Sequence, residues 1–357
     1  MTPDFQRLMD EAARLMRGGQ LGEATAAIRQ ALGGAAPATA HVPAPAPARP
    51  HEDDVIDVEA RVVGAPTPAP AEPRGASGES FIAGHFRNEC GARDYKLFEP
   101  ARDGRPLPLV VMLHGCTQDA DDFARGTRMN ALARAHGALV LYPAQSQRAN
   151  AQRCWNWFKH NHQARGKGEP AILAGMVRDV VARHGVDPDR VYVAGLSAGG
   201  AMAAILGEAY PDVFAAVGVH SGLPAGSATD VQSAFAAMAG GPPAARRGGR
   251  HGTPPPTIVF QGDADATVNV VNGERVMGAT GLSASSESKR GSSAMGVPYT
   301  RRDWVDGQGA ERGELWTLHG VGHAWSGGDP TGSYTDPRGP DASAEMLRFF
   351  LRHRRAG

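Results

Sequence analysis

The residue with the clearest chemical signature is Ser197, which stands at the centre of Gly195-Leu-Ser-Ala-Gly. The β-branched residues Val191 and Val193 precede it, and a run of small and apolar residues follows it. This order predicts a buried strand, a sharp turn and a helix, which together form a nucleophile elbow that exposes a serine hydroxyl. Glycines are expected on both sides of such a turn, because side chains there would collide with the neighbouring strand or helix.

A serine hydroxyl attacks a carbonyl carbon at neutral pH only with an adjacent base, usually a histidine held by a carboxylate. In the predicted fold the acid follows the serine in the chain and the histidine comes last. Two aspartates follow a predicted strand downstream of Ser197, and we predict Asp265 as the orienting acid and Asp263 as a loop-stabilising residue. We predict His323 as the base, whereas His319 lies nearer the end of the last strand and is predicted to be structural.

The tetrahedral intermediate of acyl transfer carries an oxyanion that needs two preorganised N–H donors. One donor is expected from the residue after the nucleophile, Ala198, and the other from the loop after the third strand. In the loop Leu113-His-Gly-Cys-Thr we predict the N–H of Cys116 as this donor. His114 is predicted to shape the same loop.

The chain has three cysteines, which are too few for a disulfide scaffold. Cys116 and Cys154 both follow strands that we expect to be neighbours, so a disulfide between them is one interpretation. Free thiols are the other, and they are the rule for a cytoplasmic protein. Both interpretations stay open, and Cys90 has no predicted role.

Aromatic residues are concentrated in the segment Cys154-Trp-Asn-Trp-Phe, although only 6% of the chain is aromatic. We predict that Trp155 and Trp157, together with Trp325 and Tyr334, line an apolar substrate cleft. The alternative is that the tryptophans pack this loop against the core.

The elements that must position these residues alternate between strand and helix from residue 78 onward. Strands are predicted at 81–86, 94–98, 109–114, 138–142, 190–194, 215–220, 257–261 and 314–318. Helices are predicted at 120–135, 171–184, 198–210, 229–238, 268–277 and 342–353. This alternation predicts an α/β fold with a mostly parallel sheet of about eight strands, helices on both faces and an antiparallel start. Residues 240–256 and 279–298 are predicted to be surface loops.

Three parts are predicted along the chain: a helical hairpin over 1–34, a linker rich in Pro and Ala over 35–77, and a catalytic domain over 78–357. The hairpin is too short to bury a core alone. We therefore expect it to pack on the catalytic domain, on a second copy in a homodimer, or on a polymer surface.

Composition and motif spacing exclude several classes of function. Thirty-seven basic and 37 acidic residues give no argument for a nucleic-acid partner. The sequence shows no apolar run long enough for a transmembrane segment and no secretory signal, which leads us to expect a cytoplasmic protein. Neither metal-ligand spacing nor a phosphate-binding loop is found, so we predict no metal and no cofactor.

Five motifs in order strengthen this interpretation: Leu113-His-Gly-Cys-Thr-Gln, Cys154-Trp-Asn-Trp-Phe, Gly195-Leu-Ser-Ala-Gly-Gly-Ala-Met, Gly262-Asp-Ala-Asp-Ala-Thr-Val and Gly322-His-Ala-Trp-Ser-Gly-Gly. From about residue 80 to 353 the chain resembles the polyhydroxybutyrate depolymerase family of esterases, which is close to the feruloyl and acetylxylan esterases. The resemblance implies an α/β-hydrolase fold. It also implies a triad of Ser197, Asp265 and His323, with Cys116 and Ala198 as oxyanion donors.

The expected function is therefore a serine esterase that hydrolyses polyester or oligoester bonds, such as those of poly(3-hydroxybutyrate), or short acyl esters. Secreted members of the family typically add a signal peptide and a polymer-binding domain. Because neither is found here, soluble oligomers, amorphous polyester or small esters are the expected substrates. The alternatives are a feruloyl, acetylxylan or synthetic-polyester esterase, and a granule-associated binding protein with secondary hydrolysis.

Overall fold

A computed structural model of the chain describes residues 78–242 and 252–355. The predicted hairpin over 1–34 and the predicted linker over 35–77 lie outside the described residues. The elements below therefore belong to the predicted catalytic domain.

Twelve strands and seven α-helices lie in the described residues. The strands are β1 (Ser80–Asn88), β2 (Gly91–Glu99), β3 (Leu107–Leu113), β4 (Leu139–Pro143), β5 (Val186–Leu196), β6 (Ala216–His220), β7 (Thr257–Gly262), β8 (Ser283–Ser292), β9 (Pro298–Val305), β10 (Glu311–Leu318), β11 (Trp325–Ser326) and β12 (Thr335–Asp336). The helices are α1 (Ala120–Thr127), α2 (Met129–His136), α3 (Gly168–Arg183), α4 (Ala198–Ala209), α5 (Val231–Met238), α6 (Val271–Thr280) and α7 (Ala342–Leu351).

Ten strands form one mixed sheet in the order β1-β2-β4-β3-β5-β6-β7-β10-β9-β8. The six strands from β4 to β10 in this order pair in parallel. The strands β1 and β2 form the predicted antiparallel start, and β9 and β8 add a second antiparallel edge. The predicted α/β class is confirmed. Because the carboxyl ends of the six parallel strands lie at the same end of the sheet, the loops that follow them converge there.

The region beyond β7 corrects one sequence prediction. The predicted loop over 279–298 instead contains β8, and β9 follows where no strand was predicted. The sheet therefore has ten strands, more than the predicted number of about eight. The strand β8 reads Ser-Ala-Ser-Ser-Glu-Ser-Lys-Arg-Gly-Ser. It lies at the sheet edge and buries little apolar surface, so its sequence lacks the alternation that identifies a half-buried strand.

The helix predicted over 120–135 is divided in two at Arg128. This residue has a left-handed backbone, with φ of 53°, and its N–H donates to the carbonyl groups of Ala124 and Arg125. That arrangement ends α1 and lets α2 start in a new direction.

The core lies on both faces of the sheet. In β3, Leu109, Val111 and Leu113 pack on one face, whereas Val110 and Met112 pack on the other, and all five are fully buried. Burial of both faces explains why the central strands are almost continuously apolar. Among the described residues, no helix has both the length and the apolar composition that crossing a membrane requires.

Candidate active site

Ser197 lies in the tight turn between β5, which ends at Leu196, and α4, which begins at Ala198. Its backbone has φ of 57° and ψ of −118°, a conformation that costs a non-glycine residue energy and is retained mainly at functional sites. The side chain is partly exposed although its neighbours are buried. The N–H of Ser197 donates to the carbonyl of His220 at 2.9 Å, so this amide is not free to bind an oxyanion.

Close backbone contacts explain the glycines on both sides of Ser197. A Cβ atom on Gly195 would lie 2.4 Å from the carbonyl carbon of Gly199, and one on Gly199 would lie 2.0 Å from the carbonyl oxygen of Leu113. These neighbours are backbone atoms, which cannot move without shifting β3 or α4. The turn therefore brings α4 against the sheet at a distance that only glycine permits.

The predicted acid and base meet in the loops that follow β7 and β10. Nδ1 of His323 lies 2.7 Å from Oδ2 of Asp265, while Oδ1 of Asp265 accepts the N–H groups of Thr267 and Val268, each at 2.8 Å. Burial by itself would raise the pKa of Asp265. The bond and charge of His323 and these two amides outweigh burial and hold that pKa below its usual value. The ionised carboxylate keeps a proton on Nδ1 of His323. The other ring nitrogen, Nε2, is then the one that can accept a proton.

The second aspartate, Asp263, forms a separate hydrogen-bonded chain. Its Oδ2 lies 2.8 Å from Nδ1 of His319, and its Oδ1 accepts the N–H of Gly320 at 2.7 Å. Nε2 of His319 lies 2.8 Å from Oγ1 of Thr300 in β9. Asp263 and His319 thus bond to each other and hold the loop, as their positions predict.

The loop after β3 is fixed on both sides of Cys116. The structure joins Cys116 to Cys154 in a disulfide, the first of the two interpretations that the sequence left open. The N–H of Gly115 donates to Oε1 of Gln118 at 2.9 Å, and the N–H of Thr117 donates to the carbonyl of Gln152 at 2.6 Å. These bonds hold the loop on both sides of Cys116, whose N–H stays the predicted oxyanion donor together with that of Ala198.

Three of the four predicted substrate-binding aromatics are buried, and the prediction that they line a cleft is wrong. Trp155, Trp157 and Trp325 are 0%, 6% and 1% exposed. The indole N–H of Trp155 donates to the carbonyl of His114 at 3.1 Å, and that of Trp325 donates to Oγ of Ser343 at 3.0 Å. These rings pack the loops against the core, the alternative stated above.

Tyr334 differs from the tryptophans because it is partly exposed. Its hydroxyl lies 3.2 Å from Oγ1 of Thr117, the residue after the predicted oxyanion donor Cys116. Among the four aromatic residues, Tyr334 is therefore the one that keeps a place beside the candidate site.

Sequence reasoning missed Glu169, a fully buried carboxylate near the start of α3. It accepts the N–H and Nδ2 of Asn156, each at 2.7 Å, Nε2 of Gln145 at 2.6 Å and Nη2 of Arg93 at 3.0 Å. Nε2 of Gln145 also donates to the carbonyl of Cys154 at 2.9 Å. Burial by itself would raise the pKa of Glu169, but the neighbouring His162 and the hydrogen bonds from Gln145 and Asn156 outweigh burial and hold that pKa below its usual value. Glutamate is almost never fully buried unless it has partners, and the partners of Glu169 are distant in the chain, so no local signal marked it.

His220 is a second residue that sequence reasoning missed. It is fully buried, its Nε2 accepts the N–H of Ser326 at 3.0 Å, and its ring stacks on Trp325. Burial lowers the pKa of His220 to about 3, which keeps the ring neutral. Because its carbonyl also accepts the N–H of Ser197, His220 links the nucleophile turn to the segment that follows His323.

In the part of the chain that the structure describes, no group of three or more His, Cys, Asp and Glu side chains could hold a metal ion.

Comparison with known proteins places the chain in a family. The model of the family described as "Esterase PHB depolymerase" matches residues 94–284, which is more than half of the chain. The chain belongs to this family. The matched segment of the esterase PHB depolymerase family includes Ser197, Asp265 and both cysteines of the disulfide.

Individual relatives agree with this membership. The chain is 36% identical over 241 residues to a poly(3-hydroxyalkanoate) depolymerase C of Paucimonas lemoignei, a match that covers 64% of this chain and 58% of the relative. It is 31% identical over 280 residues to a poly(3-hydroxybutyrate) depolymerase of Ralstonia pickettii, covering 72% and 57%. Feruloyl esterase B of Thermothelomyces thermophilus is 34% identical over 128 residues, covering 36% and 43%. The chain thus spans less than two thirds of the length of each of these relatives.

The family fold is also found among solved structures. The acetyl xylan esterase from Aspergillus awamori superposes with a TM-score of 0.56 at 20% identity, covering 72% of this chain and 94% of that chain. At this identity the likeness supports the α/β-hydrolase fold of the family and carries no argument about substrate.

Proposed function

We propose that this chain is a serine esterase that hydrolyses ester bonds of 3-hydroxyalkanoate polymers or oligomers. The observation that carries the proposal is the bond of 2.7 Å between His323 and the buried carboxylate of Asp265. Both residues lie in loops at the carboxyl end of the parallel strands, and the strained turn of Ser197 lies at the same end. Membership of the esterase PHB depolymerase family supports the same chemistry.

In the proposed mechanism Oγ of Ser197 attacks the ester carbonyl carbon, and Nε2 of His323 takes the hydroxyl proton. Asp265 holds the ring in the tautomer with a proton on Nδ1 and stabilises the imidazolium that forms. The oxyanion is bound by the N–H groups of Cys116 and Ala198. His323 then returns the proton to the departing alcohol, which leaves an acyl group on Ser197. A water molecule then gives a proton to His323 while its oxygen attacks the acyl carbon. The bond between that carbon and Oγ of Ser197 breaks, the hydroxy acid leaves, and His323 returns the proton to Oγ.

The relatives support the proposed substrate class. The two depolymerases that match 64% and 72% of the chain are named for poly(3-hydroxyalkanoate) and poly(3-hydroxybutyrate). The feruloyl and acetylxylan esterases match about a third of the chain, with 36% covered by the former and 33% by a probable acetylxylan esterase A of Aspergillus fumigatus. We therefore place 3-hydroxyalkanoate esters first and feruloyl or acetyl esters second.

The test compares wild type with Ser197→Ala on four substrates: amorphous poly(3-hydroxybutyrate), its soluble oligomers, p-nitrophenyl butyrate and a feruloyl ester. We expect the wild type to release product from the polymer or the oligomers. The substitution is expected to lower turnover at least about 1,000-fold while the circular dichroism spectrum stays the same.

Each outcome decides one part of the proposal. Turnover confined to p-nitrophenyl and feruloyl esters would keep the mechanism and replace the substrate class. Equal turnover by the wild type and Ser197→Ala would overturn the mechanism.

A further inference from the structure

The loops that carry the acid and the base are bonded to each other along their backbones. The N–H of Asp263 donates to the carbonyl of Leu318 at 3.0 Å, and the N–H of Ala264 donates to the carbonyl of Val321 at 3.2 Å. These bonds continue the parallel pairing of β7 with β10 beyond the sheet. The distance between Asp265 and His323 therefore depends on how firmly the two loops are held together.

Side chains complete the same connection through His319. Its ring bridges Asp263 in one loop and Thr300 in β9, with both distances at 2.8 Å. The carboxylate of Asp263, which contacts Nδ1 of His319, also accepts the N–H of Gly320. Gly320 stands at the start of the segment that leads to His323. An acid, an imidazole and a hydroxyl thus lie in a chain beside the Asp265–His323 pair.

We propose that His319 is a positioning residue for ester hydrolysis, which holds the segment 319–323 so that His323 keeps its bond to Asp265. This inference rests on the proposed function, since the bond it protects is the one assigned to catalysis. His319 is not assigned to substrate or to proton transfer. Its Nδ1 is engaged by Asp263 and its Nε2 by Thr300, so neither ring nitrogen is free for a reacting group.

The negative charge of Asp263 helps to hold the ring of His319 in place. Burial by itself would raise the pKa of Asp263, but the bonds from His319 and Gly320 outweigh burial and lower it, so the carboxylate is ionised at neutral pH. The groove over His319 is lined by Tyr299 and Arg290 from the neighbouring strands. His319 therefore has an ionised carboxylate, Asp263, as the partner of its Nδ1 and lines the same groove as Arg290.

The experiment compares His319→Ala with His319→Asn and with a matched control, His85→Ala. His85 forms the same contact with an aspartate, since its Nδ1 lies 2.6 Å from Oδ1 of Asp94, but it lies on the β1–β2 hairpin. We expect His319→Ala to lower kcat/KM for p-nitrophenyl butyrate about 10- to 100-fold through misplacement of the base. The asparagine variant retains an N–H near the Nδ1 position and is expected to recover much of this loss. The control variant is expected to keep the activity of the wild type.

The acidic midpoint in the pH profile of kcat/KM distinguishes two explanations for a loss of activity in His319→Ala: misplacement of His323, or a change in the charge around it. The charged and titratable groups around the two histidines are Asp265 and His220 beside His323, and Asp263 and Arg290 beside His319. Removing an imidazole that can become positive would by itself move the midpoint to higher pH. Loss of the Asp265 bond would move it to lower pH, because the imidazolium of His323 loses its anionic partner. We expect the shift to lower pH in His319→Ala.

The outcomes distinguish this inference from the proposed function. A wild type without esterase activity would overturn the proposed function. An active wild type with a fully active His319→Ala would overturn the positioning role alone. A shift of the midpoint to higher pH would also overturn it, as would an equal loss in His319→Ala and His319→Asn when both have the thermal midpoint of the wild type.

Discussion

At the scale of single residues, the proposed mechanism gives the carboxylate of Asp265 a role that a neutral group of the same shape cannot fill. It accepts a bond from Nδ1 of His323 and two backbone N–H groups. An amide would keep the shape but present an N–H to the ring and favour the wrong tautomer.

We expect Asp265→Asn to lower kcat about 10,000-fold, the loss found when the equivalent aspartate of a serine protease is replaced by asparagine. The measurement is steady-state hydrolysis of p-nitrophenyl butyrate, with Asp94→Asn on the surface hairpin as the matched control. An Asp265→Asn variant that retains a tenth of wild-type kcat would show that another group orients His323.

The sequence predicts Ser197, Asp265 and His323 as a triad because each stands in a short segment with a local signature. Ser197 lies between glycines, and the other two follow predicted strands in the order that the fold requires. The tryptophans had no such signature. Whether Trp155 faces a cleft or the core depends on Val177, Leu173 and other side chains of its cluster, which are distant in the chain.

At the scale of elements, the disulfide between Cys116 and Cys154 joins the loop after β3 to the segment after β4. It closes a loop with a sequence separation of 38 residues. The same segment is held from inside the core by Glu169 through Asn156 and Gln145. The loop that carries the proposed oxyanion donor is thus fixed by a covalent bond and by buried hydrogen bonds.

The double substitution Cys116→Ala/Cys154→Ala is expected to lower the free energy of unfolding by about 4 kcal/mol, the loop-closure entropy of a ring of this size. Urea unfolding at pH 7 would measure it, with Cys90→Ala as the control, because Cys90 is an exposed free thiol. A loss below about 1 kcal/mol would mean that the buried network alone holds the loop.

Edge strands limited the prediction of elements. The central strands were found because they are apolar on both faces, whereas β8 is polar and exposed and gave no periodic signal. The division of the first helix at Arg128 was also missed, since the residues on both sides of it favour helix and the break is a backbone conformation. Both misses concern features that tertiary packing decides.

At the scale of the whole molecule, buried imidazoles make the stability of the fold depend on pH. Burial lowers the pKa of His114 to about 4 and that of His220 to about 3. Partial burial, with the charges of Arg312 and Arg352, lowers the pKa of His353 to about 4. In the unfolded chain the same rings take up protons near 6.5. Below that pH the unfolded state binds more protons than the fold, so stability falls as the pH falls.

We expect the free energy of unfolding to fall by at least about 2 kcal/mol between pH 7 and pH 5, since each such ring contributes up to about 1.4 kcal/mol per pH unit. Asp265 and Glu169 have lowered pKa values and add to the loss at more acidic pH. Urea titrations at both pH values would test this. An unchanged free energy of unfolding would show that the buried rings become protonated inside the fold.

The interlocked glycines beside Ser197 have a consequence for any survey of substitutions across this chain. A survey that scores folding and one that scores ester turnover should both reject every replacement at Gly195 and Gly199, because the first atom of any side chain meets backbone. At Ser197 the two surveys should disagree, since small residues satisfy the fold but not the chemistry. The score for ester turnover should therefore mark Gly195, Ser197 and Gly199 alike as intolerant to substitution. Only a comparison with the score for folding distinguishes the residue proposed to react, Ser197, from the two glycines.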